Sequence, residues 1–405
     1  MRNQLNFSIM KVIHQSISLL FMAGLLFANI EKNLQTHFIL AEPGDTITIP
    51  KGLHAIKGTL SIDGKSDLVI RGQSMDQSIL SFSNQDEGAQ GISITNSINI
   101  TLEGFTIQNT KGDAIKIQYT DGIVFRYVKA EWTGGPKETN GAYGLYPVQC
   151  QNVLIENSVS IGASDAGIYV GQSNEIIVRH NTAYNNVAGI EIENSNNAKV
   201  YKNHTYNNTG GILVFDLPDL VQKKGGNIHV FDNLIESNNL FNFAPPGNIV
   251  GKVLPGTGIL ILACSDVHIY QNTIRNNKSV GTGVVSYFMT EEAIKDSLYN
   301  PYTADVHIYS NVYDRWPGFP TLDYDVGKLL AVKYGRNTPD IIYDGMQDPE
   351  IIAGLCIQNN GRARFTDLDI EHNFEEWYSP FLSNFSEDMS PHKCGNEHRL
   401  VSKAK

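Results

Sequence analysis

Two carboxylates one residue apart, Glu191 and Glu193, stand in "AGIEIENS", and two tyrosines, Tyr146 and Tyr169, hold equivalent places in the earlier phrases "GLYPV" and "GIYVG". On an extended chain, residues i and i+2 face the same way at about 6.6 Å. That lies near the lower end of the ~6.5–9.5 Å separation at which one carboxyl group protonates a glycosidic oxygen while the other activates water. Any Glu-x-Glu in a strand has this spacing, so it names a chemistry without selecting it. The same pair suits Ca2+, which prefers carboxylate and carbonyl oxygens. Tyrosine faces pack on pyranose rings while carboxylates accept sugar hydroxyls. Asp165, in "GASDAG", is a third nearby carboxylate whose setting also fits a turn.

What positions these residues is a repeat. In "NTAYNNVAGIEIENSNNAKVYKNHTYNNTGGILV", residues 181–214, one polar phrase returns after 22 residues. A Gly-Ile phrase or a close variant begins at 91, 114, 144, 167, 189, 211 and 258, so the basic interval is 22–23 residues with insertions. A second apolar alternation follows, as in Val153/Ile155, Ile176/Val178, Ile228/Val230, Val267/Ile269 and Val306/Ile308. An Asn comes next at 157, 181, 203, 233, 272 and 311. A fixed period of this length signals a solenoid, and period-two alternation makes both apolar runs short strands. The expected fold is therefore all-β, a coil of short strands stacking on their copies. Asn side chains stacked at one corner would hydrogen-bond along the ladder.

With the isoleucines inward, Lys116, Tyr146, Tyr169, Glu191, Leu213 and Leu260 form one outward row, and Gln118, Val148, Gly171 and Glu193 the next. Tyr146, Tyr169 and Glu191 become consecutive rungs, with Glu193 beside Glu191. Insertions at about 131–144, 215–227, 241–257 and 287–304 all flank this strand column. Loops on a rigid scaffold usually carry function, and these would wall a groove floored by the outward side chains. The expected ligand contacts are Lys116, Gln118, Tyr146, Tyr169 and Asp165, with Tyr146, Tyr169, Glu191 and Glu193 as the catalytic candidates.

The ends differ from the middle. Arg2 and Lys11 precede an apolar run, 17–30, that reads as a secretory signal peptide over 1–28, and it is too short for the ~20 residues of a membrane span. No later segment is apolar enough to cross a bilayer. Export to the periplasm or the extracellular space is the expectation. Removing Arg2 and Lys11 takes the formal net charge from −11 to −13. Such an acidic chain with no basic run is a poor nucleic-acid binder, and it repels polyanions unless a basic patch or bound cations intervene. Cys150 and Cys264 fall four coils apart, roughly 19 Å at ~4.8 Å per coil, beyond disulfide reach. Cys356 with Cys394 is the expected pair. It would tie a capping tail, 376–405, to the coil that spans 45–375. Residues 315–350 read as a long excursion, and the acids Asp367, Asp369 and Glu371 as protection of a terminal strand edge.

This pattern resembles the right-handed parallel β-helix of the pectate-lyase-like superfamily. Residues 141–214 look most similar to the repeat region of periplasmic mannuronan C5-epimerases and related carbohydrate-binding, sugar-hydrolase-type proteins. In that family a Tyr-Gly-Ile-Asp-Pro-His-Asp phrase carries the acid and base residues. Here it reads Tyr143-Gly144-Leu145-Tyr146-Pro147-Val148-Gln149, with all three ionisable positions replaced. Proton abstraction needs a base with an available lone pair, so the scaffold resembles the family while the epimerase chemistry does not carry over. Two readings follow. One is an exported protein that binds a polysaccharide and processes it by a lyase- or hydrolase-like reaction; the other is a non-catalytic envelope or surface scaffold whose loops bind a protein partner.

Overall fold

The computed structural model describes residues 30–349, 354–373 and 385–394. The expected signal segment, 1–28, and the tail residues 374–384 and 395–405 lie outside them. Eleven strands, from Leu60–Asp63 to Phe365–Asp367, form one parallel sheet. It contains every Gly-Ile phrase, with Ile168 opposite Ile190, Ile190 opposite Ile212 and Ile212 opposite Ile259. These isoleucines are fully buried in a single core that runs the length of the coil. The chain is an all-β parallel helix, as the period requires.

Each full coil has three strands where the alternation suggested two. The second apolar runs, such as Asn174–Arg179 and Asn196–Tyr201, are followed by three-residue strands, Thr182–Tyr184 and His204–Tyr206. Both columns belong to a 19-stranded sheet. Three residues give too little alternation to stand out from a polar corner, which is why "TAY" and "HTY" read as part of the Asn phrase.

Asn181, Asn203, Asn233, Asn272, Asn311 and Asn360 build the expected ladder. Asn203 Oδ1 accepts from the Asn181 backbone N–H (3.0 Å) and Nδ2 (3.1 Å), while Asn203 Nδ2 donates to the Val178 carbonyl (2.9 Å) and Asn233 Oδ1 (3.0 Å). Asn157 is not in it. It occupies the left-handed corner position shared with His180 and Lys202, and the ladder starts at Ser158, whose N–H donates to Asn181 Oδ1. A second ladder, Asn186, Asn208, Asn238 and Asn277, serves the next corner. The Gly column has a steric cause. A Cβ at Gly189 would lie 2.6 Å from the Gly211 carbonyl oxygen, and one at Gly211 2.5 Å from that of Gly258.

Both ends are covered. A helix over 30–40 inserts Leu34 and Phe38 into the core. Its Glu31 accepts from the Lys57 and Gly58 N–H groups, and Gln35 pairs with the Ser61 backbone, so the edge of the first strand is not left open. At the far end Cys356 and Cys394 form a disulfide, their Cα atoms 4.9 Å apart, while Cys150 and Cys264 stay free and buried. Ser386 pairs antiparallel with Asp367, so that acidic strand is covered by chain as well as charged. The excursion at 315–350 contains a helix, Asp325–Tyr334, and a strand of the Gly-Ile column, Ile341–Tyr343. Among the described residues no helix is long and apolar enough to cross a membrane.

Replacing Asn203 with Ala leaves the Asn181 N–H and the Val178 carbonyl without that partner inside the coil. At about 1–3 kcal/mol for each buried polar group left unsatisfied, denaturant unfolding should show a loss of about 3 kcal/mol. A loss under about 0.5 kcal/mol would contradict the ladder's role.

Candidate functional site

The rungs fall as expected. Lys116 pairs with Tyr146, Tyr169 with Glu191, Glu191 with Leu213, and Gly171 with Glu193. All face away from the coil interior, and the structure brings Tyr143, Tyr146, Tyr169, Asp165, Glu191 and Glu193 into one cluster. Ring centroids lie 4.4 Å apart for Tyr143–Tyr146, 4.6 Å for Tyr143–Tyr169 and 4.9 Å for Tyr146–Tyr169. The Lys116 ammonium sits 5.2 Å from the centre of the Tyr146 ring, a cation–π contact at the open edge. Tyr169 reaches across its own strand to donate a 2.6 Å hydrogen bond to Glu193 Oε1. Gly171 makes this possible, because a Cβ there would collide with the Tyr169 hydroxyl.

The expected exposure does not hold. Tyr169 is 4% exposed, Glu191 2%, Glu193 7% and Asp165 5%. The insertions at 241–257 and 287–304 close over this stretch rather than walling it. They supply Phe243, Val250, Val253, Tyr287 and Tyr299 to an apolar layer that packs on Tyr169, Leu213 and Phe215. Asn242 clamps the first loop by donating to the Val250 and Val253 carbonyls, and Asn248 reaches Asp165 Oδ2 at 3.3 Å. The Tyr299 hydroxyl binds the Asp216 carbonyl, and Lys223 pairs with Asp296 to join the 215–227 and 287–304 loops. Only the Lys116, Tyr143 and Tyr146 end stays half-open. Gln118 lies beside it, donating to Gln149 Oε1 at 2.7 Å.

Burial without full compensation shifts the carboxyl groups upward. Asp165 is pushed up to about 8, first by desolvation and then by the Glu193 charge. Glu193 rises to about 7, desolvation outweighing its Tyr169 hydrogen bond, and Glu191 rises well above its ordinary value through burial and its two acidic neighbours. Among the described residues, Glu191 Oε2 and Asp165 Oδ1 find no hydrogen-bond partner. Carboxyl groups that exchange protons near neutral pH are suited to general acid–base work. Among the described residues no group of three or more His, Cys, Asp or Glu is placed to hold a metal ion.

Tyr143, which the sequence offers only as part of the Tyr143-Gly144-Leu145-Tyr146 phrase, is central to the cluster. The signal was present one row over, where its rung partners Ala166, Ala188 and Gly210 are small and leave room for its ring. Asn248, set in an irregular loop, had no such signal. The loop-walled hollow exists too, but it begins two rungs past Glu191, over Leu260, Gly283 and Ile342.

The family model described as "Right handed beta helix region" matches residues 137–290. No curated protein matches the chain in sequence. Among solved structures, the A-module of the Azotobacter vinelandii mannuronan C-5 epimerase AlgE4 is similar at 15% identity, covering 82% of this chain and 90% of its own, with a TM-score of 0.51. The AlgE6 A-module from the same organism gives 14% identity, 82% and 88% coverage, and a TM-score of 0.53. At that identity the likeness is one of fold, and the chain is a right-handed parallel β-helix protein.

The shifted carboxyl groups have a measurable consequence. At these two groups the folded protein holds protons that the unfolded chain releases near pH 4, so their contribution to stability falls as pH rises from about 4 towards 8. Asp165→Asn and Glu193→Gln should each flatten this fall in unfolding curves taken from pH 4 to 8. Parallel curves for variants and parent would show that these groups ionise normally.

Proposed function

We propose that the protein is exported and binds a carbohydrate chain against Lys116, Gln118, Tyr143 and Tyr146. Asp165 and Glu193 stand behind that edge as proton carriers for a lyase- or hydrolase-type step. The observation that carries this reading is the half-open tyrosine cluster backed by carboxyl groups with unpartnered oxygens. A purely structural layer gains nothing from burying three acids there, since each buried polar group left unpaired costs free energy. Tyr143 and Tyr146 offer ring faces to a sugar, and Lys116 offers the positive charge that an acidic sugar needs against a chain of formal net charge −11. The fold neighbours are mannuronan epimerase modules, which makes uronate polymers the first ligands to try. The disulfide at Cys356–Cys394 suits an oxidising compartment.

One observation favours the scaffold reading: Tyr169 and all three acids, Asp165, Glu191 and Glu193, are buried. Glu191 then acts on the ligand only through its neighbours, and Tyr146 becomes the catalytic candidate nearest the solvent.

The two readings separate in a calorimetric titration of uronate and neutral oligosaccharides, followed by product analysis. Tyr146→Ala and Lys116→Ala should each weaken binding about five- to tenfold, the scale of an aromatic or cation–π contact; Tyr146→Ala also loses its packing on Tyr143 and Tyr169 and should lower stability by about 1–3 kcal/mol, so binding is compared where both variants are fully folded. Wild-type binding of every glycan by both variants, or no glycan binding by the parent, would favour the scaffold.

A further inference from the structure

One rung beyond the carboxyl cluster the same outward face changes character. Phe215, paired with Glu193 on one side and Leu262 on the other, separates the acids from a cavity of about 330 Å3. Leu260, Gly283 and Ile342 form its floor on three consecutive strands, with Leu262 and Val285 alongside. The loop residues at 249–254 and 289–291 and the start of the Asp325–Tyr334 helix form its walls.

Three features define what this cavity takes. The floor offers no side-chain hydrogen-bonding group, so it cannot replace the water that a sugar hydroxyl would lose. Gly283 has an ordinary strand backbone rather than a left-handed one, so no conformational demand explains it. A Cβ there would lie 2.8 Å from Leu260 Cδ1 and 3.4 Å from Val280 Cγ1, and its absence deepens the floor; glycine inside a strand often marks close approach of another group. The polar rim is already satisfied or acidic. Lys252 binds the Thr290 carbonyl and Glu292 (2.7 Å), the Tyr324 hydroxyl binds the Gly251 carbonyl (3.2 Å), Asp325 pairs with Lys328 (2.8 Å), and Glu291 adds negative charge.

The geometry points to a second ligand site here, for an uncharged aliphatic chain. A volume of about 330 Å3 lies within the range of small-molecule pockets and holds on the order of ten carbon atoms at interior packing density. An anionic chain end is disfavoured because Lys252 and Asp325 are each paired and the remaining rim charge, Glu291, is negative. The site is independent of the carbohydrate edge, since Phe215 closes the floor between them.

The test is a calorimetric titration of the full chain with hexanol, octanol, decanol, dodecanol, tetradecanol and decanoate at neutral pH. Expected are one-to-one binding, an affinity gain of about fourfold per added methylene that levels off near ten carbons, and decanoate at least tenfold weaker than decanol. Gly283→Leu, which fills the floor, should weaken decanol at least tenfold. Leu260→Ala, which enlarges the cavity, should move the levelling-off point to a longer chain, and this variant decides the matter if Gly283→Leu does not fold. Absence of alkanol binding, equal affinity for decanol and decanoate, or an unchanged chain-length profile in Leu260→Ala would overturn the proposal.

Discussion

Parallel stacking sets every side chain against its own equivalent one coil away, at a rise of about 4.8 Å. Like must therefore tolerate like, and the rest of the molecule follows from how each row meets that demand. Isoleucines do so by burial. Asparagine does so because one amide carries both donor and acceptor, so identical residues complete one another in the 181-to-360 ladder. Aromatic rings stack: Tyr201, Phe231, Tyr270 and Tyr309 follow at 4.8, 4.9 and 5.0 Å with planes within 9°. Charged residues can persist only by alternating. Arg71, Glu103, Arg126, Glu156 and Arg179 occupy successive rungs of one row, each acid between two guanidinium groups. Where three imidazoles stack, His229, His268 and His307, burial and the neighbouring rings hold His268 down to about 4, so it stays neutral.

Against that regularity, Asp165, Glu191 and Glu193 are the exception. No cationic rung lies between them, and they are buried together with two oxygens unpartnered. Natural sequences break their own local rules chiefly at functional or strained sites, and this cluster adjoins the one half-open stretch of tyrosines on the insertion-bearing face. The neighbouring rungs solve the same stacking problem with Leu260, Gly283 and Ile342, an apolar answer that leaves a hollow instead of a charge conflict.

Much of this was legible in the residues. The period, the direction of each isoleucine, the rung order Tyr146–Tyr169–Glu191 and the Cys356–Cys394 pair follow from spacing alone, because strand geometry is rigid and repeats carry their register with them. The third strand of each coil was hidden by its length. The capping helix at 30–40 was signalled by Ile30, Leu34 and Phe38 at four-residue intervals, but it lies next to a segment that reads as a signal. The burial of Glu191 was not legible. It depends on how Phe243, Val250 and Tyr299 fold back from irregular loops, and no periodicity relates a loop to the face it covers.

On the proposed function, the acid cluster is kept for its chemistry and at a cost to the fold. The most direct test is to measure unfolding stability and glycan binding together for Glu191→Gln at pH 8. The substitution removes a buried carboxyl group whose ionisation its neighbours oppose, so stability should rise while binding or turnover of the parent's glycan falls. A variant that loses stability while handling that glycan as the parent does would show that Glu191 serves the fold, and would contradict the account.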